Sequence, residues 1–545
     1  MIKKALLALS ICVLIGLIGC SMRSEQSSTP IDTKIDETRL KQLADQSADS
    51  HYDKSLSEWT PPRRSMDLHS AVEKKQTPSE KTLLGKQFTS TQSKLYEEGR
   101  FHFEEGNYNM AIENWEELVR LKPDSSAMFY NLGLAYYQKG LLDKAEACFK
   151  RSIELYPNNA DAHVNLSLVY SDKGLTEKAI EELDTVIRSN PENPDLRINL
   201  ASAYFSAGMI DTALIEFQRA VDAGNVSWDV RNIMGVIYYK KGMIDKAIDE
   251  FKEALRLNPK EGSIHYNLGI AYSKLGDIDK ALDHLEKASK LSPTNSGVHF
   301  NLGYIYYSKG MIDEAIKEYN NAIILAGKDA EAHYNLGIAY LHKNMFDEAI
   351  REFKTSISLK PTSQAYINLG LCYGNKNMID DEINALKSAI EIDPKSYLAY
   401  YNLGLAYCEK KDFGNAIVHL EKAIELRPDS VDAHNNLGFA YAGIGEFEKA
   451  IVEFKRTLEL RPRLVEALIN LGYAYSKVGM NEQAIETLKQ AITISPYSSM
   501  AHYNLGSVYA VIGDYTEARK EFLKVIEIEP GNSVARQMLD KLSNR

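Results

Sequence analysis

Residues 126–159 read SAMFYNLGLAYYQKGLLDKAEACFKRSIELYPNN, and this stretch decides the fold. Phe129, Leu132 and Tyr136 follow one another at i, i+3 and i+7, the spacing that puts side chains on one face of a helix. A second apolar helical pattern follows a short break and stops at Pro157, because proline cannot continue a helix. The stretch therefore predicts two helices joined by a tight turn.

The same pattern returns along most of the chain. Proline recurs at intervals of 34 residues or twice that, apart from one interval of 33, and Asn225 and Gly327 occupy the two vacant places. Counting each proline as position 32 predicts thirteen hairpins between residues 92 and 532, followed by a capping helix over residues 533–545. Because one hairpin cannot bury both of its faces, the hairpins should stack into an all-α solenoid. The prolines are Pro123, Pro157, Pro191, Pro259, Pro293, Pro361, Pro394, Pro428, Pro462, Pro496 and Pro530.

Three further positions repeat with few exceptions. Position 11 is Tyr in twelve of the thirteen copies, and position 20 is Ala in all but one, where Glu382 stands. Small residues at positions 8 and 20 should let the two helices of a hairpin approach closely. Position 15 is Gly or Asn in every copy except for Lys411, and it should adopt the left-handed conformation that glycine tolerates. We also expect Asp143 to cap the second helix of its hairpin.

This pattern resembles the tetratricopeptide repeat (TPR), which has a bulky residue at position 4, Leu at 7, Gly at 8, Tyr at 11, Ala at 20, Phe at 24, Ala at 27 and Pro at 32. The resemblance covers residues 92–530, about four-fifths of the 545-residue chain. It implies a right-handed superhelix of antiparallel helix pairs, in which the first helices line a concave groove. It also implies that the groove binds proteins or extended peptides.

The N-terminus has the features of an export signal. An apolar stretch over residues 5–19 follows a short basic start, and it is too short to span a membrane comfortably. Residues 17–20 read LIGC, which resembles the lipobox of bacterial lipoproteins. This resemblance implies removal of a signal peptide over residues 1–19 and attachment of an acyl lipid to Cys20. The alternative is an ordinary secretory signal in which Cys20 is incidental.

Residues 20–91 predict a flexible tether between this lipid and the repeats. They are rich in Ser, Thr, Gln, Asp and Lys and show no sustained apolar period, so they cannot bury enough surface to fold alone. Ser21 follows the cysteine, where many lipoproteins that stay at the inner membrane have Asp. The lipoprotein resemblance therefore favours attachment to the outer membrane, facing the periplasm.

No catalytic or metal-binding pattern is present in the sequence. The formal net charge is −11 and no basic face is clustered, which argues against nucleic-acid binding. The sequence contains no phosphate-binding glycine loop, no H-E-x-x-H zinc motif and no nucleophile elbow. Cys148, Cys372 and Cys408 lie scattered in predicted helices, which is typical of packing. We expect no enzyme activity, no cofactor, no metal and no small-molecule substrate.

Six histidines share position 4 and are expected to pack between hairpins and not to bind a metal. They are His163, His265, His299, His333, His434 and His502.

Position 6 carries the strongest functional signal, because Asn occupies it in eleven of thirteen copies. Asn costs about 0.5–0.7 kcal/mol relative to Ala inside a helix, so some interaction should offset this cost. Its amide could bind the backbone of an extended peptide, or it could bond to a neighbouring helix and stabilise the stack. The row resembles the asparagine ladder in the TPR superhelix of O-linked N-acetylglucosamine transferases, which implies the first role. The residues are Asn131, Asn165, Asn199, Asn267, Asn301, Asn335, Asn368, Asn402, Asn436, Asn470 and Asn504.

Aromatic residues at position 5 lie beside this row and are candidate groove anchors. We expect about half of the groove aromatics to pack between helices instead. The position 5 aromatics are Tyr130, Tyr266, Phe300, Tyr334, Tyr401 and Tyr503.

These features together predict a membrane-anchored scaffold whose partners are proteins or extended peptides. The chain resembles TPR lipoproteins that assist outer-membrane assembly, pilus biogenesis and polysaccharide export. One alternative is a substrate-recruiting subunit of a glycosyltransferase or peptidoglycan enzyme that acts in trans. Another is carbohydrate binding, because aromatic rings can stack on sugars.

Overall fold

A computed structural model describes residues 89–224 and 227–543. The predicted signal peptide, the predicted lipid site at Cys20 and the predicted tether up to residue 88 lie outside these residues. The described part contains 27 helices, numbered α1–α27 in chain order. The predicted all-α repeat fold is confirmed, with odd-numbered helices as first helices and even-numbered helices as second helices.

The first helices are α1 (Ser90–Glu104), α3 (Ser126–Gln138), α5 (Ala160–Asp172), α7 (Pro194–Ser206), α9 (Trp228–Lys240), α11 (Gly262–Leu275), α13 (Ser296–Ser308), α15 (Ala330–His342), α17 (Ser363–Asn375), α19 (Tyr397–Glu409), α21 (Val431–Gly443), α23 (Val465–Lys477) and α25 (Ser499–Ile512). The second helices are α2 (Tyr108–Leu121), α4 (Leu142–Leu155), α6 (Thr176–Ser189), α8 (Ile210–Asp222), α10 (Ile244–Leu257), α12 (Ile278–Leu291), α14 (Ile312–Ala326), α16 (Phe346–Leu359), α18 (Ile379–Ile392), α20 (Phe413–Leu426), α22 (Phe447–Leu460), α24 (Asn481–Ile494) and α26 (Tyr515–Ile528), and α27 (Ser533–Ser543) follows the last hairpin.

The helices form two units that divide within α13, the first ending at Ile305 and the second beginning at Tyr306. In the second unit, α27 packs Met538 and Leu542 against a core that includes Phe522 of the last hairpin. This contact covers apolar surface that has no further repeat to bury it.

The first helix begins earlier than the repeat count predicts. Thr89 accepts a hydrogen bond from the Gln92 backbone at 3.3 Å, and the Gln92 side chain accepts one from the Thr89 backbone at 2.9 Å. This reciprocal capping box satisfies two backbone donors at the start of α1. Residues 90 and 91, which the sequence assigns to the tether, therefore belong to α1.

Each hairpin closes because a small residue on the first helix faces a large one on the second. A Cβ added at Gly133 would lie 2.7 Å from the ring of Phe149, whose side chain is fully buried. The same relation holds between Gly235 and Phe251, at 2.5 Å. The small residue at position 8 is thus required by the close approach of the aromatic ring at position 24.

Position 15 ends each first helix in the left-handed conformation. Asn344 and Asn377 both have a φ of 57°, and Lys411 has a φ of 63°. The other copies have glycine with positive φ at this place. This conformation costs most L-residues roughly 1–2 kcal/mol, whereas glycine and, to a lesser extent, Asn tolerate it. The turn at Lys411 is therefore the strained member of the series.

Asp143 does not cap α4, which corrects the expectation from its position. The cap residue of α4 is Leu141, which makes no side-chain cap hydrogen bond. Asp143 instead accepts a hydrogen bond at 2.6 Å from Lys173 of the next repeat. Equivalent pairs between neighbouring repeats join Lys241 to Asp211, Lys343 to Asp313, Lys376 to Asp347, and Lys410 to Asp380. The aspartates of these pairs are exposed, so each pair contributes roughly 0–1 kcal/mol.

Among the described helices, none combines the length and the apolar character that crossing a bilayer would require.

Candidate binding face of the first helices

The side of the odd-numbered helices that carries positions 5 and 6 is here named the first-helix face. The structure divides its asparagines into a buried and a partly exposed group. The buried ones are Asn165, Asn199, Asn267, Asn301, Asn335 and Asn368, and the partly exposed ones are Asn131, Asn402, Asn436, Asn470 and Asn504.

Four of the six buried amides bond to the preceding repeat, namely those of Asn165, Asn267, Asn301 and Asn368. Nδ2 of Asn301 donates to the hydroxyl oxygen of Tyr266 at 3.1 Å and to the Gly297 carbonyl oxygen at 2.9 Å. The first bond joins neighbouring first helices, and the second lies within α13. Satisfying both amide hydrogens in this way offsets the poor helix propensity of Asn.

The position 6 asparagine bonds to the first helix of the preceding repeat wherever that repeat has tyrosine at position 5. Asn267, which follows an asparagine at that position, donates to Asn232 at 2.9 Å. Whether an asparagine bonds to the preceding repeat therefore depends on the residue at position 5 of that repeat, which lies 34 or 35 residues earlier in the chain. The tyrosine-bonded pairs are Asn131 with Tyr96, Asn165 with Tyr130 at 3.1 Å, Asn301 with Tyr266 at 3.1 Å, Asn368 with Tyr334 at 3.1 Å and Asn436 with Tyr401 at 3.3 Å.

Three asparagines do not follow a tyrosine and remain partly exposed. Asn402 follows Ile367 and Asn504 follows Ile469 at position 5. Asn470 follows Asn435, whose Oδ1 atom accepts no hydrogen bond from any described residue. The side chains of these three asparagines form no hydrogen bond within residues 89–224 and 227–543. Their amides therefore keep both donor and acceptor capacity for a ligand.

The position 5 aromatics connect a hairpin internally as well as to its neighbour. The ring of Tyr130 lies 5.9 Å from Phe149, and that of Tyr503 lies 5.6 Å from Phe522, in each case in the second helix of the same hairpin. Burial raises the pKa of Tyr130 and Tyr401 well above the ordinary value, so both hydroxyls stay protonated. Tyr130, Tyr266 and Phe300 are buried, whereas Tyr334, Tyr401 and Tyr503 keep exposed surface.

The histidines at position 4 form a second set of contacts, with the second helix of their own hairpin and with the proline that ends the preceding repeat. Nδ1 of His163 lies 2.6 Å from a Glu182 carboxylate oxygen, and its Nε2 lies 3.1 Å from the Pro157 carbonyl oxygen. The carboxylate raises the pKa of His163. One repeat differs, because His265 faces His284 with their Nδ1 atoms 3.0 Å apart.

Outside the first-helix face, the three described cysteines are buried packing residues. Burial raises the pKa of Cys148, Cys372 and Cys408 to about 12, so these thiols are protonated and poor nucleophiles at neutral pH. Three or more His, Cys, Asp or Glu side chains do not converge anywhere in the described ranges in a way that could hold a metal ion.

Sequence reasoning missed the division between bonded and unbonded asparagines. The signal was available in the repeat alignment, as the pairing of position 5 in one copy with position 6 in the next.

Comparison with known families gives matches along most of the chain. A profile described as a TPR repeat matches residues 235–276, 303–344 and 404–445. Profiles described as tetratricopeptide repeats match residues 96–160, 148–181, 170–229, 263–295, 284–317, 330–363, 363–396, 385–417, 431–464, 465–498 and 499–532. No curated protein sequence matches the chain.

Solved structures similar to the chain include the Cut9–Hcn1 hetero-tetramer of the APC/C, at 17% identity over 83% of this chain and 96% of that chain, with a TM-score of 0.36. YrrB, described as a TPR protein with an unusual peptide-binding site, is 24% identical over 34% of this chain and 95% of its own, with a TM-score of 0.31. MamA is 31% identical over 30% of this chain and 95% of its own, with a TM-score of 0.29.

Proposed function

Because this chain belongs to the tetratricopeptide-repeat family, whose fold suits protein and peptide binding, we propose that it is a non-catalytic scaffold that binds an extended peptide through Asn402, Asn470 and Asn504. One observation carries the proposal. These three amides are partly exposed and have no hydrogen-bond partner among the described residues, although Asn costs about 0.5–0.7 kcal/mol relative to Ala inside a helix. In six other repeats a bond to the preceding repeat offsets that cost.

An extended peptide would satisfy these amides regardless of its sequence. A peptide backbone presents one donor and one acceptor per residue, and a side-chain amide matches both. The three asparagines occupy the same position in repeats 10, 12 and 13, so their amides lie on the same face of α19, α23 and α25. The other asparagines of the row would then have a stabilising role in the stack.

The test replaces the three free amides together, as Asn402→Ala, Asn470→Ala and Asn504→Ala. Each lost hydrogen bond should weaken binding by roughly 0.5–1.5 kcal/mol, so the triple variant should bind at least about tenfold more weakly. The probe is reduced, carboxymethylated lactalbumin, an unfolded polypeptide, and its dissociation constant is measured by fluorescence anisotropy. Melting should not fall and should rise slightly, because the replaced side chains have no partner among the described residues and Ala is the better helix former.

The matched control is Asn165→Ala, which leaves the buried Tyr130 hydroxyl without its donor. This variant should lose about 1–3 kcal/mol of stability and keep its affinity for the probe. Unaltered binding by the triple variant would contradict the proposed role of the free amides.

We further propose that a lipid on Cys20 anchors the scaffold to the outer membrane, facing the periplasm, where it captures proteins in envelope assembly or export. The support is the LIGC motif at the end of a short apolar stretch, followed by a polar tether. Two or three acyl chains, each CH₂ contributing about 0.8 kcal/mol, make stable anchoring plausible.

The Cys20→Ser variant should fail to incorporate radiolabelled palmitate and should move from the membrane fraction to the soluble fraction. The measurement is labelling followed by fractionation of cells that express the full chain. Equal labelling of the variant and the parent protein would rule out Cys20 as the lipid site.

A further inference from the structure

The turns that join the two helices of each hairpin carry lysine in most repeats. Position 14, which precedes the left-handed turn residue, is lysine in seven of repeats 2–10. This lysine reaches back to the aspartate at position 18 of the preceding repeat, as Lys410 does to Asp380 at 2.7 Å. Lys173 and Asp143 make the same contact at 2.6 Å. Positions 14 and 18 of adjacent repeats therefore lie side by side.

The last three repeats replace this lysine with an aliphatic residue. Position 14 is Ile444, Val478 and Ile512 in repeats 11, 12 and 13. Ile444 and Ile512 are 51% and 47% exposed, and Val478 is partly buried against the core. Met480 and Val511, in the same turns, are exposed as well. These turns, residues 443–449, 477–483 and 511–517, are here named the C-terminal edge, and they carry a row of exposed apolar side chains.

The same replacement leaves two carboxylates without a lysine. Glu448 and Glu482 occupy position 18 of repeats 11 and 12, so the residues beside them at position 14 of the next repeat are Val478 and Ile512. Both glutamates are exposed, and neither forms an ion pair within residues 89–224 and 227–543. The C-terminal edge as a whole is acidic, with Glu446, Glu448, Glu482, Asp514 and Glu517 against Lys449 and Lys477.

The charge of the C-terminal edge limits what can cover its apolar row. Anionic lipid headgroups would be repelled by the carboxylates. A second copy docked through the same edge would set its own carboxylates against those of the first, which is unfavourable. A protein surface that combines apolar side chains with Lys or Arg would bury the aliphatic residues and pair with Glu448 and Glu482.

An α-helix has the dimensions that this edge requires. Packed helices lie about 8–10 Å apart, so the turns of three neighbouring repeats extend over roughly 20 Å. A helix rises about 1.5 Å per residue, so about 14 residues cover that length, and side chains seven residues apart are about 10 Å apart. Apolar residues at that spacing on one face of a helix would therefore meet one repeat after another.

We propose that the C-terminal edge docks an amphipathic α-helix of a partner protein. The apolar face of this helix covers Ile444, Met480 and Ile512, and its flanking Lys or Arg residues pair with Glu448 and Glu482. The edge lies at the end of the first helices, about two turns beyond the position 6 amides. Docking there does not depend on the proposed peptide binding by those amides.

The test uses two fluorescent 18-residue peptides of the full chain's expected ligand type. The first is an amphipathic helix of Leu, Ala and Lys, and the second has Glu in place of every Lys. The full chain should bind the Lys peptide at least about tenfold more tightly than the Glu peptide in fluorescence anisotropy, and added salt should narrow the difference.

The double variant Ile444→Lys with Ile512→Lys gives the edge the residue type of the earlier repeats and should bind the Lys peptide at least about tenfold more weakly. The matched control is Leu275→Lys with Ile324→Lys, which changes the charge equally at residues that are 51% and 79% exposed. It should keep the affinity of the parent protein, which separates docking from general attraction between an acidic chain and a basic peptide. Melting curves of both double variants should match that of the parent protein, because the replaced side chains are exposed.

Equal binding of the two peptides by the parent protein, or equal weakening in both double variants, would overturn the docking site. The Asn402→Ala, Asn470→Ala and Asn504→Ala variant should bind the Lys peptide as the parent does. A loss there would place the peptide on the first-helix face and overturn the edge as its site.

Two other occupants are tested in the Cys20→Ser variant of the full chain. Binding to vesicles of phosphatidylglycerol and phosphatidylethanolamine would assign the edge to lipid if Ile444→Lys with Ile512→Lys abolished it. A dimer in sedimentation velocity that the same change abolished would assign the edge to a second copy. Either result would overturn the proposed helix.

Discussion

Replacing Phe251 with alanine is expected to destabilise its hairpin by about 3–5 kcal/mol, since the change removes a fully buried ring and leaves a cavity. The ring lies directly under Gly235, where an added Cβ would come within 2.5 Å. The close contact between α9 and α10 depends on this pair, and the backbone of Gly235 cannot move in to fill the space without losing its other contacts.

Hydrogen exchange is the appropriate measurement, because a long repeat array does not unfold in one step. The backbone amides of α9 and α10 should exchange much faster in Phe251→Ala, and those of α19 and α20, in the other unit, should keep their protection. The control is Ile215→Ala, whose side chain is 52% exposed and should change stability by less than about 0.5 kcal/mol. A uniform loss of protection along the chain would contradict the local character of the packing.

Acid is expected to loosen the hairpin of α11 and α12 selectively. His265 and His284 face each other there, and burial lowers the pKa of both, that of His284 to about 4. The surrounding groups do not reverse this effect. Lys287 and Lys252 disfavour a second positive charge, and Asp283 is already paired with Lys287. The Pro259 carbonyl oxygen favours a proton on His265, but burial outweighs it, and the Tyr272 ring stacks on His284 at 5.6 Å.

The direction of the pH dependence follows from proton uptake. Unfolded histidine has a pKa of about 6.5, so between pH 6.5 and 4 the unfolded chain binds protons that the folded hairpin does not. The stability of the hairpin should therefore be highest above pH 6.5 and fall by up to roughly 3 kcal/mol towards pH 4. The measurement is hydrogen exchange of α11 and α12 between pH 7.5 and 5.0, corrected for intrinsic rates.

The His284→Glu variant is the matched comparison, because it recreates the pair that His163 forms with Glu182. That carboxylate raises the pKa of His163, so the contribution of such a pair is fully present below pH 6.5 and is lost as the pH rises through the folded pKa. The variant should therefore keep its protection in α11 and α12 at pH 5.0. Equal loosening of the variant and the parent protein at pH 5.0 would exclude the histidine pair as the cause.

Much of the architecture could be predicted because each hairpin is a local structure. The spacing of Phe129, Leu132 and Tyr136 was enough to predict one face of the first helix. The position of Pro157 was enough to predict where the second helix of the same hairpin ends. Position 15 was predicted to be left-handed, and even Lys411 adopts that conformation. These features depend on residues close together in the chain, whose geometry is set by backbone sterics and helix periodicity.

The candidate site was predicted only as a row of equivalent asparagines. The periodicity of the helix places Asn301 and Asn470 on the same face, and nothing in their own repeats distinguishes them. The difference lies in the preceding hairpin, where Tyr266 supplies a hydroxyl to Asn301 and Asn435 supplies no bond to Asn470.

The sequence by itself determined the hairpins, their number and their apolar faces, because these depend on short-range periodicity and on where glycine and proline interrupt it. Only the tertiary structure decided which polar side chains are satisfied and which remain available. The physical reason is that a hydrogen bond or an ion pair requires two groups within about 3–4 Å of each other, and stacking brings together groups that lie a whole repeat apart in the chain.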